Sequence, residues 1–196
     1  MKKFFPLIIF VLSLLTQNVS AQNTSDNNLH LRFNGIPITG RLNNVQNKLT
    51  AKSFRFASKE GDAVEMVGKF ANEKCRIVLY ATPKTKTTYL IIVDYGKGDS
   101  WGLLKSHYLQ LKKLLKEKYN VQPFSVEKFK NPYYEGDGYE LQATRCSKCL
   151  YYSRFTLNNG EITLAITDER VLISYQDKKG NELNEQEVKE LSLDDL

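Results

Sequence analysis

The chain has 196 residues, 28 of them basic and 22 acidic, for a formal net charge of +6. That length suits one domain of ordinary size or two small units sharing a core. No stretch beyond the first 15 residues approaches the roughly twenty apolar residues of a membrane-spanning helix. The charge is uneven. Residues 181–196 carry six acids against Lys189 alone, so the body is strongly basic. A basic body favours an acidic protein, an acidic glycan or nucleic acid, or is simply a solvated lysine-rich surface.

The opening MKKFFPLIIFVLSLLTQNVSAQ has the three parts of a secretory signal peptide. Lys2 and Lys3 form the basic start, Phe4 to Leu15 the apolar run, and Val19 and Ala21 the small residues before a cleavage site. No cysteine follows the run to carry a lipid anchor. The sequence therefore predicts a signal peptide over 1–21, cleavage near Ala21, and a periplasmic or secreted mature chain. Export makes nucleic acid a poor partner. Residues 22–28, QNTSDNN, are polar and aperiodic and read as a flexible leader.

Folding starts near Leu29. Gly35, Pro37 and Gly40 punctuate a turn, after which Leu42, Val45 and Leu49 recur at helical spacing. Alternating runs follow. Phe54 and Phe56 alternate with Arg55. Val64, Met66, Gly68 and Phe70 share a face, as do Cys75, Ile77, Leu79 and Ala81, and then Tyr89, Ile91, Val93 and Tyr95. The short breaks KEGD, ANEK and TPKTKT fit antiparallel hairpins, since parallel neighbours need a long crossover. The period then changes again. Over 101–119, Trp101, Leu104, Tyr108, Leu111 and Leu115 line one helical face, with Asp99 or Ser100 as the cap. Lys105, Lys112, Lys113 and Lys116 are expected towards the opposite face. Further strand-like runs follow: PFSVEKF, YELQATRC, CLYYSRFTL, EITLAIT and RVLISYQ. Asn158-Asn159-Gly160 and Asp168-Glu169 mark hairpin turns. Beyond 180 the sequence predicts a short acidic helix from about Asn184, docked by Val188 and Leu191, or a free tail.

The order helix then four strands occurs twice. The predicted fold is α+β: two tandem α-β-β-β-β units, 29–98 and 99–180, with antiparallel sheets and helices packed on one face, then an acidic helix or tail over 181–196. The second unit carries an insertion around 130–150.

Cys146 and Cys149 stand at C-x-x-C spacing. A redox pair of that spacing places its first cysteine at a helix N-terminus, but the flanking runs read as strands. Zinc needs two further ligands, and only Cys75, His30 and His107 remain, without paired spacing. In an oxidising compartment a Cys146–Cys149 disulfide is the first expectation and a Cys75 pairing the second. No catalytic set, metal site or cofactor loop is recognised in the sequence. His107 reads as a rim residue. Tyr133, Tyr134, Tyr139, Tyr151 and Tyr152 form the candidate binding surface, because tyrosines give large contact area at low entropy cost. Ordinary cross-strand packing is the competing explanation.

The opening F-x-G-I-P-I-x-G at Phe33–Gly40, the strand RVLISYQDKKGNE and the terminal DDL resemble a group of secreted Bacteroidetes proteins without established function. The duplicated helix-plus-sheet order is similar to the beta-lactamase-inhibitor-protein-like fold and its small outer-membrane-assembly relatives. That resemblance implies a protein-binding role, by fold analogy. The sequence as a whole points to a non-enzymatic binding module for a protein or envelope glycan. A thiol-disulfide enzyme and an envelope assembly factor are the alternatives.

Overall fold

A computed structural model describes residues 29–194. The expected signal peptide, the leader and the last two residues of the tail lie outside the described residues. A two-residue ladder, β1 (Arg32–Phe33) with β2 (Ile36–Pro37), precedes helix α1 (Leu42–Thr50). Strands β3 (Arg55–Glu60), β4 (Ala63–Phe70), β5 (Glu73–Ala81) and β6 (Thr88–Lys97) follow. Helix α2 (Trp101–Tyr119) opens the second series: β7 (Phe124–Phe129), the short α3 (Glu140–Arg145), β8 (Cys149–Leu157), β9 (Gly160–Thr167) and β10 (Arg170–Asp177). Helix α4 (Lys178–Asp194) closes the described chain. The fold is α+β, and each unit is a helix followed by a four-stranded antiparallel meander.

The eight long strands form one sheet in the order β3-β4-β5-β6-β10-β9-β8-β7. The two meanders meet edge to edge through their last strands, with Ile91 opposite Tyr175 and Val93 opposite Ile173. Side chains of one parity are buried across the six inner strands: Val64 and Met66, Ile77 and Leu79, Ile91 and Val93, then Ile173, Leu164 and Phe155. Helix α1 seals the first unit through Leu42, Val45 and Leu49. Helix α2 seals the second through Leu104, Tyr108, Leu111 and Leu115. Ser100 caps α2 by accepting from the Leu103 amide, and Asn120 ends it in the left-handed conformation, where a short polar side chain is tolerated.

The GIPITG opening is a core plug. Asn34 and Gly35 take positive φ, which a tight two-residue hairpin turn requires. The hairpin carries Phe33, Ile36 and Ile38 into the core. Phe33 stacks on Phe70 at 4.8 Å and meets Tyr175 edge-on at 5.3 Å. Asp177, at the end of β10, clips this hairpin down. Its buried carboxylate accepts from Leu31 N at 2.7 Å and Gly180 N at 2.9 Å, and His30 Nδ1 lies 2.9 Å away.

Four sequence expectations for these elements differ from the structure. The run YELQATRC is not a strand, because its core is helix α3. Phe56 does not share the core with Phe54; it sits on edge strand β3 beside a bulge and is exposed. Helix α4 starts at Lys178 rather than near Asn184. Val188 and Leu191 do not dock it, since both are exposed, and Glu187 is buried instead at 3% exposure. The β5–β6 loop receives the Glu187 carboxylate. Lys84 N and Thr85 N donate to one oxygen at 2.5 and 3.1 Å, and Thr82 Oγ1 and Thr85 Oγ1 donate to the other at 3.1 and 2.6 Å.

Burial opposes ionisation of Glu187, but the hydrogen bonds from Thr85, Lys84 and Thr82 outweigh it and hold the carboxyl below its usual range. Its ionised form therefore adds stability that is complete above the ordinary glutamate value and is lost as pH falls through the lower folded-state value. Glu187→Gln should cost about 1–3 kcal/mol at neutral pH, and should flatten the acid limb of a plot of urea midpoint against pH. Packing generates a second expectation. A Cβ at Gly68 would lie 2.5 Å from the Phe54 ring, whereas one at Gly102 meets nothing within 4 Å. Gly68→Ala should cost about 1–3 kcal/mol through overpacking, and Gly102→Ala should leave the denaturation midpoint unchanged or slightly raised.

Candidate binding surface

The second face of the sheet is the main site the fold creates. Residues of the other parity are half-buried or exposed along every strand, with Asp94 as the buried exception. Cross-strand register sorts them into rows. One row runs Tyr80, Leu90, Gln176; the next Val78, Ile92, Ser174, Thr163; the next Arg76, Asp94, Leu172, Ala165, Tyr152. Val78, Leu90, Ile92, Leu172 and Tyr152 are all half-buried. They lie where a one-sided antiparallel sheet would carry polar side chains. Helix α4 touches only the margin of this face, through Gln176 Nε2 donating to Asn181 Oδ1 at 2.6 Å.

Asp94 organises the middle of the face. Arg76 donates to it at 2.6 Å from β5 and Arg170 at 2.7 Å from β10, while the Gly96 amide donates at 2.7 Å. Burial disfavours its charge, but the Arg76 and Gly96 hydrogen bonds and the Arg170 charge win and lower its pKa. The ion group thus spans both units.

The five candidate tyrosines do not share a surface. Tyr151 and Tyr152 are sequence neighbours on β8, so their side chains leave opposite faces. Tyr151 is 4% exposed in the core, packed edge-on against Trp101 at 4.8 Å and near Phe129 at 5.6 Å. Tyr152 lies on the uncovered face. Tyr133 is half-buried and packs against the core, whereas Tyr134 and Tyr139 are exposed on the insertion. The competing explanation, sheet packing, holds for Tyr151.

Carboxylates flanking α2 account for two of its lysines. Glu135 accepts from Lys105 Nζ, from Tyr151 Oη at 2.9 Å and from Trp101 Nε1 at 3.3 Å. Glu127 accepts from Lys112 Nζ at 2.6 Å and Tyr108 Oη at 3.1 Å, and Tyr108 Oη also meets Ser153 Oγ at 2.6 Å. Lys105 and Lys112 therefore flank the packed face rather than standing opposite it. Lys113 pairs only with Glu117 one turn on, at 4.0 Å.

The expected Cys146–Cys149 disulfide is not present: Cys75, Cys146 and Cys149 are all free. Cys146 is exposed in the C-terminal cap of α3, and Cys149 is buried in the first position of β8. Burial pushes Cys149 up to about 12 and Cys75 up to about 11. His107 Nε2 lies 3.2 Å from Glu73 Oε2 and its ring meets Tyr95 edge-on at 4.7 Å. No hydrogen bond joins His107 to a thiol among the described residues. The raised Cys75 is the reverse of a histidine-activated nucleophile. Among the described residues no group of three or more histidine, cysteine, aspartate or glutamate side chains is placed to hold a metal.

No protein-family model, no curated protein and no solved structure matches the chain. The uncovered rows were partly visible in the sequence. IVLY, LIIV and VLIS are continuous apolar runs, the pattern of strands apolar on both faces. The Arg76–Asp94–Arg170 group carries no local signal, because its members come from three strands. The thiols give a direct check. One of the three cysteines, Cys146, should react with a maleimide at pH 8 in the native protein, and all three after unfolding, as counted by mass spectrometry.

Proposed function

We propose that this chain is a non-enzymatic binding module, exported to the periplasm or beyond, that recognises a protein or an envelope glycan across its uncovered sheet face. The observation that carries this reading is the asymmetry of the sheet. One face is sealed by α1, α2 and the β1–β2 hairpin. The other keeps Val78, Leu90, Ile92, Leu172 and Tyr152 half-exposed in contiguous rows. Contiguous apolar surface rimmed by polar groups marks an interaction site. Arg76, Arg170 and Asp94 supply charged groups already held in place, so little side-chain entropy is lost on docking. The buried, raised thiols argue against thiol-disulfide chemistry.

The test compares positions on two sides of the same protein. A photoreactive side chain at Leu90 or Tyr152 should trap a discrete adduct in cells exporting the full chain. The same group at Leu103, 64% exposed on α2, should trap none. Ile92→Arg should abolish the Leu90 adduct without lowering the thermal midpoint. Adducts at Leu103 alone, or none at Leu90 and Tyr152, overturn the reading.

A further inference from the structure

One end of the uncovered face holds a basin of about 650 Å³ lined by Lys52, Arg55, Lys69, Lys74, Arg76 and Asp94. Its cations come from four places in the sequence. Lys52 follows α1, Arg55 begins edge strand β3, Lys69 is the last residue but one of β4, and Lys74 and Arg76 lie in the first half of β5. Strand register converges them. Lys69 faces Lys74 directly across β4 and β5, while Arg55 and Arg76 both pair with Val67, which lies between them. Neighbouring strands lie about 4.8 Å apart, so Arg55 and Arg76 start roughly 10 Å from one another.

The basin is not self-neutralised. Its one carboxylate, Asp94, is already held by Arg76, Arg170 and the Gly96 amide. Arg76 also has Glu65 at 3.6 Å. Lys52, Arg55, Lys69 and Lys74 form no ion pair among the described residues. Like charges directly opposite one another across a strand pair destabilise a sheet, and Lys69 and Lys74 are placed that way with no acid between them. An anion bound between them removes that repulsion. A single carboxylate reaches one corner of the basin, whereas a ligand with several spaced anionic groups reaches Arg55 and the lysines together. Arginine adds a planar, two-pronged donor suited to phosphate, sulfate or carboxylate oxygens.

We propose that this basin binds a small polyanion carrying at least two phosphate, sulfate or carboxylate groups within about 10 Å of each other. This rests on the docking reading above and gives one end of that face its ligand chemistry. The experiment is titration calorimetry of the mature protein with two probes, inorganic tripolyphosphate and trigalacturonate. One saturable site is expected, with affinity falling at least tenfold between about 20 and about 200 mM salt as the charges are screened. The triple variant Arg55→Gln, Lys69→Gln, Lys74→Gln should lose at least a further tenfold at low salt while keeping its thermal midpoint. The charge-matched triple Lys178→Gln, Lys179→Gln, Lys189→Gln, all exposed on α4 at the opposite strand ends, should bind within about twofold of the parent, because distant exposed charges are screened. Tighter tripolyphosphate binding identifies a phosphorylated source, and tighter trigalacturonate binding a carboxylate-bearing glycan. Equal losses in both triples, or no saturable binding of either probe, overturn the proposal. If the Leu90 and Tyr152 adducts survive that result, only the anion site falls; anion binding without adducts removes the wider docking face instead.

Discussion

The pairing of β6 with β10 is the constraint on which the rest of the molecule depends. Each of these strands is the last of its meander, and each would otherwise be a long bare edge. Joined, they place Ile91 and Val93 beside Tyr175 and Ile173 in one continuous buried layer. Tyr175 then becomes the point where the first unit's Phe33 and Phe70 reach the second unit's sheet. On the opposite side the same pairing brings Arg170 onto Asp94, which already holds Arg76. The seam is therefore tied by apolar contact on one face and by charge on the other. Truncating one partner of such a group leaves the remaining charge half-desolvated, which costs more than the pair contributes.

A sheet eight strands wide needs a wide cover, and the described residues supply it on one side only. Two helices and the β1–β2 plug are consumed in sealing the inner face. The polar groups beside α2 are satisfied locally, with Glu127 and Glu135 collecting Lys112, Lys105, Tyr108, Tyr151 and Trp101. That network turns part of the lysine-rich helix into structure. The other face of the sheet keeps half-exposed apolar rows and, at one end, cations that form no ion pair among the described residues. Helix α4 lies at the strand ends, meeting that face at its margin through Gln176 and Asn181, and is held by Glu187 in the β5–β6 loop.

Much of this architecture was legible in the sequence because alternation and helical spacing are local signals. Leu42, Val45 and Leu49 announced α1, Trp101 to Leu115 announced α2, and the hairpin turns at Asn159-Gly160 and Asp168-Glu169 fell where expected. What escaped was set by distant partners. Glu140–Arg145 has no clear period in six residues, and it is fixed as a helix by tertiary contact, with Thr144 receiving the Glu169 amide. Glu187 is inside and Val188 outside because the loop at Lys84 and Thr85 presents free amides there, which no helical pattern reveals. The tyrosine surface failed for a simpler reason. Adjacent residues of a strand point apart, so Tyr151 and Tyr152 were never able to act as one patch. The C-x-x-C spacing likewise spans a helix end and a strand start, and places one thiol outside and one inside.

The order of strands has a last consequence. An antiparallel seam between two like strands has the geometry of a two-fold axis. A single α-β-β-β-β half expressed alone would expose the ten-residue edge of β6, and the same hydrogen-bonding pattern would be open to a second copy of itself. The present chain carries both halves on one polypeptide, joined through α2. What a homodimer would leave to concentration is here intramolecular, and the two halves of the face are free to diverge. One half carries the cluster of lysines and arginines, and the other carries Leu172 and Tyr152.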